Sequence, residues 1–522
     1  MTHTSSKRIA KNTLFLYIRM IVIMLISLYT SRIVLEELGV EDFGVYVVVG
    51  GVVSMFSFLN GSMITSTQRY LNYEMGNRGD YSPELKKIFS TSLTIHMVIA
   101  GVFLLLAETV GLWFVNYKLV IPPGSLYGAN IVYQSAVASF IVLILRVPFN
   151  ASIIAHERMN LFAILSVVEA AGRLGTAFLL MALTAHKLAW YGFLQFALSF
   201  VIGVSFVVIC FRNFKECSLK CSFIPSLFKE MIGFAGWNMF GSVAYLVRTQ
   251  GIGILLNLTF GAAINAAKGV ADQVLNASNS LTNNFQTALN PQITKNYASG
   301  AVDEMELLAF RGIKFSCFLV WLVALPIMIN VNTILSLWLT DVPAYAPLFV
   351  VLVLVDSFTM CLFGNPLMTA LSATGNIRNY QIVVGLVLIM VLPAGYVALK
   401  LGMPPESVLY LNILFNLIAG VTRFEFCKRQ IGFSIKKYLT TAFVPILGVL
   451  TVSAVFPFVF KYVIFAHIET GRIPELIYLL LISFASIAGA TWIIGLNKGE
   501  RQALTRLVLH KLISQKHEQC SS

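Results

Sequence analysis

The chain has 522 residues, 57% of them hydrophobic and 12% charged, with a mean hydropathy of +0.79 and a formal net charge of +13. That composition excludes an ordinary soluble domain and points to a polytopic membrane protein. Seven scattered cysteines, of which Cys217 and Cys221 are the closest pair, offer neither zinc spacing nor a disulfide framework.

Hydropathy predicts about 14 spans. The first runs from Asn12 to Leu35 and is read as a retained span rather than a cleaved leader. Five more centre near Ser54, Ala100, Ala138, Arg173 and Ser199, and the seventh covers Glu230 to Leu256. The eighth is polar, and later spans centre near Trp321, Val355, Val387, Leu417, Leu450 and Phe484. The expected fold class is therefore all-α, with two pseudo-symmetric six-helix bundles (1–222 and 223–435) and two extra C-terminal helices (436–497). A polar tail, 498–522, follows. Within it Glu500 to Ile513 has the pattern of an amphipathic surface helix, with Leu504, Leu507, Val508 and Leu512 opposite Arg501, Arg506 and Lys511.

The 37 Lys and Arg residues test that map. With the N-terminus inside, 26 fall in inner segments, 5 in outer segments and 6 within spans. The asymmetry predicts both termini in the cytoplasm and explains the net charge without nucleic acid. The outer segments are short and leave no room for a soluble catalytic domain. Isolated histidines, and the lack of a nucleophile elbow or a phosphate loop, likewise disfavour an enzyme. His96 reads as a polar residue packed between helices.

The eighth span, Ala262 to Pro291, carries Asn265, Lys268, Asp272, Asn276, Asn279, Asn283, Gln286 and Asn290 at steps of three or four, which is one helix face. Val270, Val274, Ala277, Leu281, Phe285 and Ala288 form a second, apolar stripe. Polar groups at bilayer depth persist where they meet protein or water, so the polar stripe predicts the wall of a wet cavity.

Two segments suggest an internal repeat. PFNASIIAHERMNLF from Pro148 and PLMTALSATGNIRNY from Pro366 share Pro, Ala and an aromatic at seven-residue steps, 218 residues apart. Leu38-Gly39-Val40 and Phe260-Gly261-Ala262 sit correspondingly between spans one and two and between spans seven and eight. Six spans per copy give the copies one orientation, as in transporters built from parallel repeats.

Charges within spans cost about 2.5–3.5 kcal/mol each at the helix centre, so each calls for a reason. Arg32 and Arg146, near span ends, are assigned to snorkelling. Glu169 and Arg173 are four apart, as are Lys268 and Asp272, and each pair can neutralise itself. Arg19 and Arg248 have no partner nearby in sequence, and Glu108 and Asp356 are lone acids.

With its two six-span halves, the opening KNTLFLYIRMIVIMLISLYTSRIVLEELGVEDFGVY, the repeated Pro-x6-Ala segment and the closing GLNKGERQALTRLV, the chain resembles the polysaccharide-transport flippases. These include the O-antigen (Wzx-like) flippases of the superfamily that also holds lipid II flippases and MATE-type multidrug antiporters. The resemblance implies two bundles around a central cavity, and places the family's cavity cations at Arg19 and Lys268. It implies transport of an undecaprenyl-diphosphate-linked oligosaccharide across the bacterial inner membrane. Lipid II flippases carry an arginine in span two; Gly44 to Ser66 has none, which disfavours that cargo.

The expected substrate contacts are Arg19, Arg248, Lys268, Asn276, Asn279 and Asn283. Asp272, Glu108 and Asp356 are the candidates for proton or sodium coupling; no metal or other cofactor is called for. The expected partners are the lipid-linked oligosaccharide, membrane lipids and other membrane proteins of polysaccharide assembly, with no nucleic acid. A cation-coupled multidrug antiporter is the first alternative. A membrane polymerase or ligase, lacking the outer domain it would need, is the second, and a channel the third.

Overall fold

The computed structural model describes residues 3–502 and 505, apart from 55–56, 80–81, 118–120, 122, 219–223, 261, 340–341 and 466–470. Most of the proposed tail helix, Gly261 of the second glycine motif, Lys118 and Cys221 therefore lie outside the described residues, as do the side chains of Arg32 and Asn265. The described residues are helical and contain no strand. Eleven helices among them are long and apolar enough to cross a membrane.

In chain order the principal helices are α1 (His3–Ser54), α2 (Ser57–Arg78), α3 (Pro83–Tyr117), α4 (Leu126–Ala155), α5 (Met159–Met181) and α6 (Lys187–Asn213). They continue as α7 (Pro225–Phe260), α8 (Ala262–Ala298), α9 (Val302–Ile329), α10 (Val331–Trp338) and α11 (Ala346–Thr374). The series ends with α12 (Arg378–Lys400), α13 (Glu406–Ile431), α14 (Ile435–Ile464) and α15 (Arg472–Gly495). Helix α1 breaks at Gly39, whose φ of 74° and ψ of 168° suit only a residue without Cβ. Ser82 opens α3 by accepting from the Glu84 backbone N–H at 3.2 Å, with Pro83 in the first turn.

The helices form two compact units. The first comprises Lys11–Val243 with Thr294–Gly300, and the second Ala244–Ile293 with Ala301–Ser522 and Met1–Ala10. The first unit extends past residue 222, where the first bundle was expected to end, because the opening turns of α7 pack on α2. Ser66 Oγ donates to the Met231 carbonyl at 3.2 Å, and Tyr70 meets Phe234 edge-on at 6.1 Å. The last turn of α8 also belongs there. A Cβ at Gly76 would stand 2.4 Å from the Lys295 carbonyl oxygen, and Lys295 pairs with Glu157 at 3.2 Å.

Within the first unit α4 and α6 approach closely, since a Cβ at Gly192 would meet Val132 at 2.9 Å. The second unit is built the same way around an aromatic group in which Phe310 contacts Phe424, Phe433 and Tyr438. Leu105, Val201, Leu414, Leu447 and Ile493 are exposed on these helices, as apolar side chains are where lipid is the solvent.

The units repeat one another in backbone detail. Glu157 in the first has a φ of 57°, and 218 residues later Gly375 has a φ of 78°. Cys210 Sγ donates to the Phe149 carbonyl at 3.5 Å, and Cys427 Sγ to the Leu367 carbonyl at 3.7 Å. Both contacts join the proline-bearing segment to the helix two further on.

Candidate functional site

Helix α8 carries the polar stripe, and its neighbours divide that stripe into two edges. On the inner edge Ser357 Oγ donates to Asn279 Oδ1 at 2.8 Å, and Gln286 Nε2 donates to Ser316 Oγ at 3.3 Å. Asn365 Nδ2 donates to Gln286 Oε1, and Thr369 Oγ1 donates to Asn290 Oδ1 at 2.9 Å. These bonds tie α8 to α9 and α11. Asn279, expected to bind substrate, is thus a link between helices, because its rotation about the helix axis turns it towards α11. On the outer edge Gln273, Asn276 and Asn283 are exposed.

Of the apolar stripe, Ala288 is buried, Val270, Val274, Leu281 and Phe285 are half-buried, and Ala277 is exposed. The buried face of α8 also runs through Ala267, Ala271, Ser278, Thr282, Leu289 and Ile293. Small and hydroxyl residues hold this face because they allow close helix approach where lipid supplies no hydrophobic drive. At the start of the outer edge Lys268, 8% exposed, donates to Asp272, 42% exposed, one turn on. The pair is self-neutralising and presents its acid outward.

Arg19 belongs to the first unit. Its guanidinium stands 4.6 Å over the Phe162 ring, and Nη1 reaches Ser166 Oγ at 3.5 Å, both on α5. Arg248 belongs to the second unit and is 2% exposed. It stands 5.0 Å from the Tyr245 ring, and its Nη2 contacts Met360 Sδ at 4.0 Å, while Nε and Nη1 have no hydrogen-bond partner. A buried guanidinium left in that state is costly and marks a candidate anion contact.

Neither lone acid is alone. Asp356, 4% exposed, accepts from Asn416 Nδ2 on α13, and the buried carbonyl oxygens of Asn412 and Asn416 have no hydrogen-bond partner. This is an oxygen-rich interior spot. Glu108 instead lies exposed on a π-turn, Ala107–Gly111, and accepts from Gln134 Nε2 at 3.1 Å. The turn widens there because Tyr133 Oη donates to the Ala107 carbonyl at 2.7 Å. Among the described residues no three His, Cys, Asp or Glu side chains gather as a metal site.

The sequence reading missed a third arrangement. Arg146 does not snorkel: its Nη1 donates to Glu169 Oε2 at 3.0 Å, while Arg173 Nη2 donates to Glu169 Oε1 at 3.0 Å. This triad borders a space of about 310 Å³ inside the first unit. Glu169 and Arg173 were visible as a spacing of four, but Arg146 comes from another helix.

Residues 9–297, more than half of the chain, match the family described as polysaccharide biosynthesis protein. No curated protein sequence matches the chain. Among solved structures, the chain is similar to a crystal structure of a MATE point mutant, with a TM-score of 0.71 at 12% identity over 82% of this chain and 96% of that one. An outward-facing multidrug resistance MATE family transporter of the MOP superfamily gives 0.70 at 12% identity, over 82% and 96%. A MOP superfamily transporter from Pyrococcus furiosus gives 0.68 at 13% identity with the same coverage. These likenesses establish the fold, and the match over residues 9–297 establishes the family: the chain is a multi-pass membrane protein with a MATE-like fold and belongs to the polysaccharide biosynthesis protein family.

Proposed function

We propose that the protein is a flippase that moves an undecaprenyl-diphosphate-linked oligosaccharide, such as an O-antigen, capsule or exopolysaccharide repeat unit, from the inner to the outer leaflet of a bacterial inner membrane. The observation that carries this reading is the family match across spans one to eight, the stretch that holds Arg19, Lys268 and the amide stripe. Arg19 is the first contact for the diphosphate, since a guanidinium binds phosphate bidentately. Asn276 and Asn283, exposed on α8, offer donors and acceptors to sugar hydroxyls. Alternating access by rocking of two bundles completes the cycle. Asp272 and Asp356 are the proposed coupling acids. Glu108 is the weakest of the three candidates because it is exposed and paired with Gln134. Short outer segments support transport rather than polymerisation.

The test is rescue of surface glycan in a deletion strain with matched protein levels. Wild type restores the glycan, Arg19→Lys restores part of it, and Arg19→Glu restores none. Full rescue by Arg19→Glu would end the anionic-cargo reading. The multidrug alternative is favoured only by the fold. It is supported if vesicles containing this protein alone transport cationic dyes, and it fails if they do not.

A further inference from the structure

The space inside the first unit lies between α1, α4, α5 and α6. Its wall carries the Arg146, Glu169 and Arg173 triad together with Tyr46, Ser139 and Gln195. Three charges sum to +1. Glu169 and Arg173 alone would be neutral, so the second arginine is not needed for insertion, and an uncompensated cation within a span calls for a reason. Arg146 is 16% exposed and stacks 4.7 Å from the Phe206 ring, so it is a fixed part of the wall. Arg173 is 58% exposed and sits at the open rim.

We propose that this space is a subsite for one acidic sugar ring of the transported glycan; this rests on the flippase reading. Glu169, bonded to both arginines, holds the place at Arg173 that a sugar carboxylate would take. An arriving sugar carboxylate takes the Arg173 fork, and Glu169 remains with Arg146. The loaded wall is then neutral: a neutral sugar would leave the excess charge in place, and a diphosphate would overshoot it. Planar carboxylate matches the guanidinium fork better than a point charge would. At about 310 Å³ the space suits a single sugar ring, with the rest of the glycan leaving past Arg173 on the open side. Ser139 Oγ donates to the Ser135 carbonyl at 2.7 Å and so keeps its lone pairs for ring hydroxyls.

The experiment uses the full chain in lipid nanodiscs with glucuronate, glucose and inorganic phosphate as probes, and reads binding by ligand-detected NMR. Glucuronate is expected to bind at least tenfold more tightly than glucose. Arg173→Gln erases that preference, and Arg173→Lys, which keeps the charge without the fork, retains part of it. Glu169→Gln tightens glucuronate severalfold, because the resident competitor has lost its charge. Equal binding of glucuronate and glucose by wild type, or a preference unchanged in Arg173→Gln, overturns the proposal. Phosphate that competes as well as glucuronate also overturns it, leaving a plain anion site. Surface-glycan rescue separates the two levels of the argument. A chain that prefers glucuronate but restores no glycan defeats the flippase reading, and one that restores glycan without the preference defeats the subsite alone.

Discussion

The two units share a backbone plan but not an interior chemistry. At the offset that aligns Glu157 with Gly375, the positions of Arg146, Glu169 and Arg173 are occupied by Gly364, Val387 and Val391. The first unit puts a charged triad where the second puts apolar side chains and a glycine. Conversely, Asp356 and Asn416 of the second unit pair at depth, while the first has Ala138 at the position matching Asp356. Duplicated folds conserve helix crossings, which depend on small residues at close approaches, and leave the remaining interior positions free to diverge. One unit has gained a polar space and the other a buried carboxylate.

The largest effect should come from the position matching Arg146. A Cβ at Gly364 would lie 1.9 Å from the Met360 carbonyl oxygen, a backbone atom that cannot swing aside. Gly364→Ala is expected to cost about 1–3 kcal/mol or more through overpacking. Thermal melting in detergent reads this, and an unchanged midpoint would mean that the second unit relaxes more freely than its packing implies.

Next comes the buried acid. Asn416→Leu leaves Asp356 without its donor and is expected to cost about 1–3 kcal/mol of stability. Asp356→Asn with Asn416 intact should cost less, since a side-chain amide still accepts. If both changes melt alike, a neutral acceptor does not replace the carboxylate, and its charge carries the pair.

Arg146→Gln should follow. Glu169 keeps Arg173, so no acid is left unpaired, and the stability loss should be about 1–2 kcal/mol, from the bond to Glu169 and the stacking on Phe206. Surface glycan should still fall, because the wall loses its excess charge. Wild-type rescue by this variant would erase the functional distinction between the units.

The smallest effects lie on α8. Asn276→Leu should reduce transport severalfold without changing the melting midpoint, by the loss of about 0.5–1.5 kcal/mol per hydrogen bond. Asn279→Leu should do the reverse, lowering the midpoint because Ser357 loses its acceptor. Identical behaviour of the two variants would merge the edges of the stripe again. The melting midpoint of Lys268→Ala with Asp272→Ala should be no lower than that of Lys268→Ala alone, as the single change leaves an acid without its partner, whereas transport should fall further because the proposed coupling acid is gone.

The comparison also shows which features were legible in the chain. Hydropathy and the Lys and Arg asymmetry sufficed for an all-helical membrane protein, because the bilayer forces each span to satisfy its backbone internally. Spacings of four correctly paired Lys268 with Asp272 and Glu169 with Arg173, since helical neighbours are set by the 3.6-residue period alone. The repeat around Pro148 and Pro366 was visible because proline, alanine and an aromatic recur there at the same seven-residue steps.

What the period leaves open is which face of a helix meets which neighbour. In water the apolar face turns inward; in a bilayer lipid and protein interior are both apolar, so an apolar stripe does not say which way it points. That is why Asn279 and Asn283, four residues apart on one stripe, part company, one bonded to Ser357 on α11 and the other exposed. It is also why Arg146 read as a snorkelling cation until α5 placed Glu169 beside it. Composition and period determined the class of fold and the local pairs. Only the packing of helices distant in sequence decided that Arg146 shares Glu169 with Arg173, that Asp356 meets Asn416, and which edge of α8 stays exposed.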